Sequence, residues 1–282
     1  MKKEIITIND KLKTKRITTI DERWYARESI NKETGLPEYE FKPSASWIAG
    51  KYPKGIGFYK WLAEHGWDEA EAIKKERGES GFKVHQACEK LSSGNPVKHD
   101  DKFTNPTTGN QEELTPEEYQ AVISFREWFD TLINPKVIAI EFLVWADRYA
   151  GTGDLIVEHG EEGLRNTTLV DLKTSQYIWD SHTIQLNMYF HAPIEICDKD
   201  GKCQQIKLSN QAILQIGYRR NKSLYKFTPI EKSMEQVELA YHLWKIEHGE
   251  EHPRQIDLPL EIPAITQEIK EEKPKVVKHK KS

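Results

Sequence analysis

The sequence predicts an α/β fold, a central mixed β-sheet with helices on both faces, and three stretches carry that prediction. Thr115-Pro116-Glu117-Glu118 pairs a Thr cap with Pro at the first helical position and Glu two residues later, and opens a helix running to about Ile133. Val137-Ile138-Ala139-Ile140-Glu141-Phe142-Leu143-Val144-Trp145 follows, apolar on both faces, which predicts a central strand. Leu155-Ile156-Val157 and Leu169-Val170-Asp171-Leu172 are then two short apolar runs around a Gly-, Glu- and Asn-rich loop, a hairpin-like strand pair.

Taken in order, residues 1–15 read as a polar arm with one short run, Ile5 to Ile8, suited to an edge strand. From Arg16 to Ile30 and from Tyr39 to Ser46, aromatic and β-branched residues surround Asn31-Lys32-Glu33-Thr34-Gly35, which predicts a hairpin. Phe58 to Gly66 and Trp67 to Glu76 read as two helices broken at Gly66, and Gly81 to Leu91 as a third. In the third, Val84, Cys88 and Leu91 form the apolar stripe, while His85 and Glu89 stand four apart on an adjoining face. Leu91 to Glu113 reads as loop, with Ser92-Ser93-Gly94-Asn95-Pro96 as breakers. After the strand pair, Asp180-Ser181 can cap a helix that carries Gln185 and Tyr189 at i and i+4. Ile206–Leu208, Ala212–Tyr218 and Leu224–Ile230 read as strands, and Met234–His248 as a last amphipathic helix. Residues 16–252 are expected to form one domain, with the hairpin and helices in 16–134 and a core in 135–252. The Pro- and Lys-rich stretch 253–282 reads as a disordered tail.

Composition narrows the function. The 282 residues are 37% hydrophobic and 30% charged, and no apolar run approaches the roughly 20 residues that span a bilayer. The start, Met1-Lys2-Lys3-Glu4, lacks the apolar stretch of a signal peptide, and three cysteines make no disulfide framework, so a cytoplasmic protein with no membrane partner is expected. Cys197 and Cys203 bracket a turn-like Asp198-Lys199-Asp200-Gly201, which suits a hairpin. A net charge of −4 argues against a basic coat for non-specific nucleic-acid binding, though not against a local basic groove beside an acidic site. No P-loop, dinucleotide fingerprint, zinc pattern or Ser/His/Asp signature is present, and Gly151-Thr152-Gly153 precedes a strand rather than a helix.

Chemistry concentrates between Gly151 and Tyr189. Period two puts Asp171 and Lys173 on one face of their strand, with Leu172 on the other. An Asp-x-Lys alone suits a solvated edge pair, but here Asp154 precedes it and Gln185 and Tyr189 follow. Acids on adjacent strand ends can hold a hard cation such as Mg²⁺, the cation that phosphodiester hydrolysis needs, and a nearby Lys can position or deprotonate water.

The order Gly-x-x-Asp, Asp-x-Lys, Gln-x-x-x-Tyr resembles the PD-(D/E)XK nuclease superfamily, and within it the RecB-type and phage-exonuclease branch. The resemblance implies a restriction-endonuclease-like core with Asp154, Asp171, Lys173, Gln185 and Tyr189 in the catalytic places. It further implies that Asp154 and Asp171 hold Mg²⁺ or Mn²⁺, that Lys173 is catalytic, and that Gln185 and Tyr189 face the site. A Gly-x-x-x-His helix of RecB-type nucleases is similar to Gly81–His85, which makes His85 a third metal ligand and Glu89 a candidate behind it. Relatives carry a Glu in the strand before Gly-x-x-Asp, so Glu141 either lines the site or forms a structural salt bridge. Pro43-Ser44-Ala45-Ser46 resembles a Pro-Ser-x-Thr element of phage-type relatives; it is either a helix cap or, with Lys51 and Lys54, a contact to DNA phosphates. Arg219, Arg220 and Lys222 are either phosphate contacts or a solvated hairpin tip. Three cysteines fall short of the four that some relatives devote to an iron–sulfur cluster, so none is expected. The implied function is a metal-dependent DNA exonuclease of phage or bacterial recombination, repair or replication, with DNA and a recombination or replication protein as partners. The alternatives are a structure-specific endonuclease, or a DNA-binding recombination partner that has lost the chemistry.

Overall fold

Two antiparallel hairpins open the chain. The computed structural model describes residues 4–9, 13–19, 21–33, 37–197, 203–249 and 253. Strands β1 (Glu4–Asn9), β2 (Thr14–Thr18), β3 (Arg23–Ile30) and β4 (Pro37–Pro43) pair in that order into an antiparallel sheet. The expected hairpin is β3–β4, with Trp24 opposite Pro43 and Ile30 opposite Pro37. The run Ile5–Ile8 lies in β1, the expected edge strand, and the boundary expected at residue 15 falls inside β2. The sheet is anchored by aromatic packing: Trp24 is buried edge-on against Trp47 (5.5 Å) and Trp244 (5.8 Å).

Next come α1 (Ala45–Ala49), α2 (Ile56–His65) and α3 (Trp67–Ser92). The break at Gly66 is present, with φ of +74° at that glycine. The expected break between Glu76 and Gly81 is not: α3 runs unbroken for 26 residues. Gly81 serves close approach rather than termination, since a Cβ there would lie 3.2 Å from Thr174 Oγ1. The stretch expected as loop contains a small hairpin, β5 (Lys102–Thr104) with β6 (Gln111–Glu113). Helix α4 (Pro116–Asp130) starts with the predicted box: Glu118 N–H donates to Thr115 Oγ1 (3.2 Å) and Thr115 N–H donates to Glu118 Oε2 (2.8 Å).

The main sheet is built from β7 (Lys136–Trp145), β8 (Ala150–His159), β9 (Asn166–Lys173), β12 (Asn210–Ile216) and β13 (Tyr225–Pro229). Between them lie α5 (Asp180–His191) and the small hairpin β10 (Glu195–Cys197) with β11 (Cys203–Gln205), and α6 (Glu235–His248) ends the described fold. The order is β13-β12-β9-β8-β7, with β9 and β12 parallel and the remaining pairs antiparallel, a mixed sheet in an α/β fold. Strand β7 is an edge of this sheet, not its centre. Its apolar outer positions are covered instead, by contact with β10 and by the Arg27 guanidinium 4.1 Å from the Trp145 ring. The strand expected at Ile206–Leu208 lies just earlier, at β11, and Cys197 pairs with Cys203 across that hairpin as backbone partners.

Two cores sandwich the sheet. Ile156, Leu169 and Ile213 face α1, α5 and α6 through Ile48, Ile184, Leu186 and Trp244. Leu155, Val157, Val170, Leu172 and Leu214 face α3 and α4 through Val84, Cys88, Val122 and Phe125. The alternation along β8 and β9 is the period of two expected of a doubly covered sheet. Among the described residues no helix is long and apolar enough to cross a membrane. The expected disordered tail lies outside the described residues apart from Pro253, which is buried.

Candidate functional site

The carboxylates of β8 and β9 come together because the strands pair side by side, with Leu155 opposite Val170. Asp154 is locked in place from two directions: Leu172 N–H donates to its Oδ2 (2.7 Å), and His85 Nδ1 on α3 stands 3.5 Å from its Oδ1. Lys173 Nζ lies 2.5 Å from Asp171 Oδ2. That oxygen is buried and has no well-formed hydrogen bond among the described residues, so the contact is mainly one of charge.

Two glycines make room for the arrangement. A Cβ on Gly151 would lie 2.4 Å from Tyr189 Cε1, and one on Gly153 would lie 2.3 Å from Phe142 Cζ. Gly151 and Gly153 are therefore space for two rings beside Asp154, and not a phosphate loop.

Glu141 enters the site through an unusual backbone. Its φ of +44° is rare for a residue with a side chain, and it stands on β7 across from the Asp154 segment of β8. One donor atom each from His85, Glu141 and Asp154 lie within 4.8 Å of one another. The expected ligand set was His85, Asp154 and Asp171. The grouping found brings Glu141 together with the first two, and Asp171 is paired with Lys173.

Electrostatics follow from crowding opposite charges out of water. Burial depresses the His85 imidazole, but the Asp154 carboxylate outweighs it and holds His85 above the ordinary histidine value. Burial pushes Asp154 up, and His85, Lys173 and the Leu172 N–H together bring it below the ordinary carboxylate range. Asp171 has less compensation: burial raises it to about 6, with Lys173 opposing and Asp154 reinforcing the rise. Glu141 is raised to about 7, by the surrounding protein first and the Asp154 charge second, although its residue is open to solvent on one side. Lys173 is held above its usual value, because Asp171 and Asp154 outweigh the effect of burial. Lys173, a cation at neutral pH, thus offsets part of the acidic charge.

Gln185 and Tyr189 form a pair on α5, with Gln185 Nε2 donating to Tyr189 Oη (2.9 Å). Tyr189 is buried against Gly151, so it braces the floor of the site and does not reach a ligand. The cap of α5 is Trp179, one residue before the expected Asp180-Ser181. Glu89 is exposed on α3, one turn beyond His85, and its charge reaches Glu141.

A groove of about 1020 Å³ reaches His85 and Lys173 of this cluster and is walled further by Arg77, Phe82, Tyr177, His182 and Arg219. Burial, with Lys173 and Lys54 nearby, lowers His182 to about 3, so it is neutral at physiological pH. No protein-family model matches the chain, and a search of curated proteins finds no match. The functional reading therefore rests on the site's geometry together with the resemblance of its sequence motif.

The expected phosphate contacts divide. Ser44 is buried, its hydroxyl 2.8 Å from that of Ser46, which withdraws it as a surface contact, and Ser46 is half-buried beside it. Lys51 pairs with Glu247 on α6. Lys54 is half-buried near Lys74 and Asp180, and its charge is felt by His182 in the groove. Arg219 lines the groove, Arg220 sits over the Tyr177 ring at 4.6 Å, and Lys222 is exposed at the tip of the following turn. Sequence reasoning missed Phe82, Tyr177 and His182, whose one signal was their nearness to Gly81–His85 and to Lys173.

Proposed function

We propose that this chain is a divalent-metal-dependent nuclease that hydrolyses phosphodiester bonds of DNA, acting from strand ends. The observation that carries the proposal is the convergence of His85, Glu141 and Asp154 beside the Asp171–Lys173 pair, with His85 and Lys173 lining an open groove. Two carboxylates and an imidazole suit Mg²⁺ or Mn²⁺ better than a soft cation. Ligands of one such ion, each at about 2.1 Å, lie no more than about 4.2 Å apart, so roughly half an ångström of side-chain movement closes the observed set. When bound, the ion offsets charge on the phosphate and makes water a better nucleophile at neutral pH.

The chain's own groups supply the rest. His85, Glu141 and Asp154 hold the cation, and Leu172 N–H fixes the Asp154 carboxylate for that task. Lys173 stays protonated at neutral pH. It therefore orients water and stabilises charge on the phosphoryl oxygens, and it is not the base. Asp171, buried next to the ammonium, holds Lys173 in place for that task. Gln185 and Tyr189 keep the strand floor rigid behind these groups. Cys88, also near Asp154, is buried with its thiol pushed far up, and supplies no competing nucleophile.

The test is incubation of end-labelled linear and closed circular DNA with Mg²⁺, Mn²⁺ or chelator. Metal-dependent loss of linear DNA alone supports an exonuclease. Nicking of circles moves the reading to an endonuclease, and binding without cleavage under either metal refutes the hydrolytic reading in favour of a DNA-binding module.

A further inference from the structure

The loop between β9 and α5 presents aromatic rings that the fold itself does not use. Tyr177 is 55% exposed and Trp179 is 45% exposed, with ring centroids 5.9 Å apart and planes tilted by 40°, so they do not stack on each other. Phe82, 41% exposed, faces the same groove from α3. Exposed aromatics on a loop are ordinary when the loop is loosely held. This one is fastened at three consecutive residues, Ser175, Gln176 and Tyr177.

Gln215 Nε2 donates to Ser175 O (2.8 Å), Gln176 Nε2 donates to Gly217 O (2.9 Å), and Arg219 N–H donates to Gln176 Oε1 (2.9 Å). Ser175 Oγ donates to Tyr177 O (2.7 Å), which closes the turn on itself. The side chains of Gln215 and Gln176 thus tie the loop to the end of β12 and the turn beyond it. The Tyr177 ring is further fixed by the Arg220 guanidinium at 4.6 Å, which covers one side of it. The Tyr177 ring is thus held in water on the wall of the groove that reaches Lys173, with the exposed Trp179 ring beside it.

The geometry points to a stacking platform for the bases of an unpaired nucleic-acid strand, with Tyr177 and Trp179 receiving successive bases as the strand enters towards Lys173. Base faces are available to such rings only where the strand is unpaired, and stacking tolerates any sequence because every base has a π-face. Charge agrees with the occupant. Arg77 and Arg219 line the groove and Arg220 stands at the loop, a basic rim suited to a phosphate backbone. Glu117 stands among them as an acid, whereas Glu118 is neutralised by Lys83 Nζ at 3.1 Å. The inference names the substrate form of the proposed nuclease and rests on that reading only for where the strand leads.

Binding is measured on the full chain in chelator, by fluorescence anisotropy, with an unpaired oligonucleotide of about 12 nucleotides and a blunt duplex of the same sequence. Wild type is expected to hold the unpaired strand more tightly than the duplex. The double variant Tyr177→Ala/Trp179→Ala should lose roughly 5- to 150-fold per stack on the unpaired strand, with the duplex little changed. Tyr177→Phe/Trp179→Phe, which keeps both rings, should retain the strand. Unfolding midpoints of the variants confirm that the exposed substitutions leave the fold intact. Equal strand binding by wild type and the alanine pair overturns the platform, as does a wild type that prefers the duplex or binds neither. If wild type cuts nothing in Mg²⁺ yet shows the strand preference and its loss in the alanine pair, the hydrolytic reading falls and the platform stands.

Discussion

Replacing Gly151 by Ala places a methyl carbon where the Tyr189 ring already stands. The new Cβ would lie 2.4 Å from Cε1, 2.5 Å from Oη and 2.7 Å from Cζ. Tyr189 has no easy retreat, because it is 3% exposed and its hydroxyl is held by Gln185 at 2.9 Å. The backbone has none either, since Gly151 pairs with Val144 within the main sheet. Overpacking of this kind costs about 1–3 kcal/mol. Ala in place of Gly restricts the unfolded chain and returns about 0.4–1 kcal/mol. The net loss should be about 0.5–2.5 kcal/mol, read as a lower denaturant midpoint at unchanged slope, or about 2–4 °C of melting temperature per kcal/mol. A double-mutant cycle sharpens the assignment. Tyr189→Leu alone opens a cavity, but Gly151→Ala should cost little on top of it, because the clash is gone. Additive losses in the cycle, or a Gly151→Ala protein as stable as wild type, would refute the view that this glycine is space for the ring.

Metal binding should depend on pH in a stated direction. Ligation needs His85 neutral and Glu141 ionised, and both are held above their ordinary values, Glu141 at about 7. Protons therefore compete with the cation at lower pH, and Mn²⁺ affinity by calorimetry should rise from about pH 6 to about pH 8, with proton release. A saturating cation at about 100 times its dissociation constant should also add about 2.7 kcal/mol of stability, and Asp154→Asn should abolish that gain. A flat affinity across this pH range would count against His85 and Glu141 as ligands. Lys83 on α3 bridges buried Glu118 on α4 (3.1 Å) and Glu112 on β6 (3.3 Å). Lys83→Met strands the Glu118 charge and should cost about 3–5 kcal/mol in denaturant, much of it recovered by adding Glu118→Gln.

What the sequence made legible follows from short-range physics. The capping box at Thr115 and the apolar alternation through Leu155 and Leu169 are local signals, and both elements lie where they predict. Asp154, Asp171 and Lys173 were legible together because adjacent strands keep sequence order in space. The parts that were not legible depend on distant partners. Gly78 and Gly81 read as a break in α3, yet the helix continues because tertiary contact, including the approach of Gly81 to Thr174, outweighs their low propensity. Strand β7 reads as central, since nothing in its own residues shows that Arg27 and β10 cover its outer side. Glu141 joins the site through a positive φ, which no local pattern announces. Tyr177 and Trp179 carry no local signal of their setting, and only the hydrogen bonds of Gln176 and Gln215 show how the loop before them is tied to β12.

The measurement that bears most directly on the proposed chemistry is the Mg²⁺-dependent rate of nucleotide release from end-labelled linear DNA by wild type and by Lys173→Ala. Wild type should release nucleotides in Mg²⁺ and none in chelator. Loss of a preorganised charge at the reacting phosphate should slow Lys173→Ala by about 10²-fold or more, with the variant still folded. Release by Lys173→Ala at the wild-type rate, or release by wild type in chelator, would contradict a metal-dependent hydrolysis centred on this lysine.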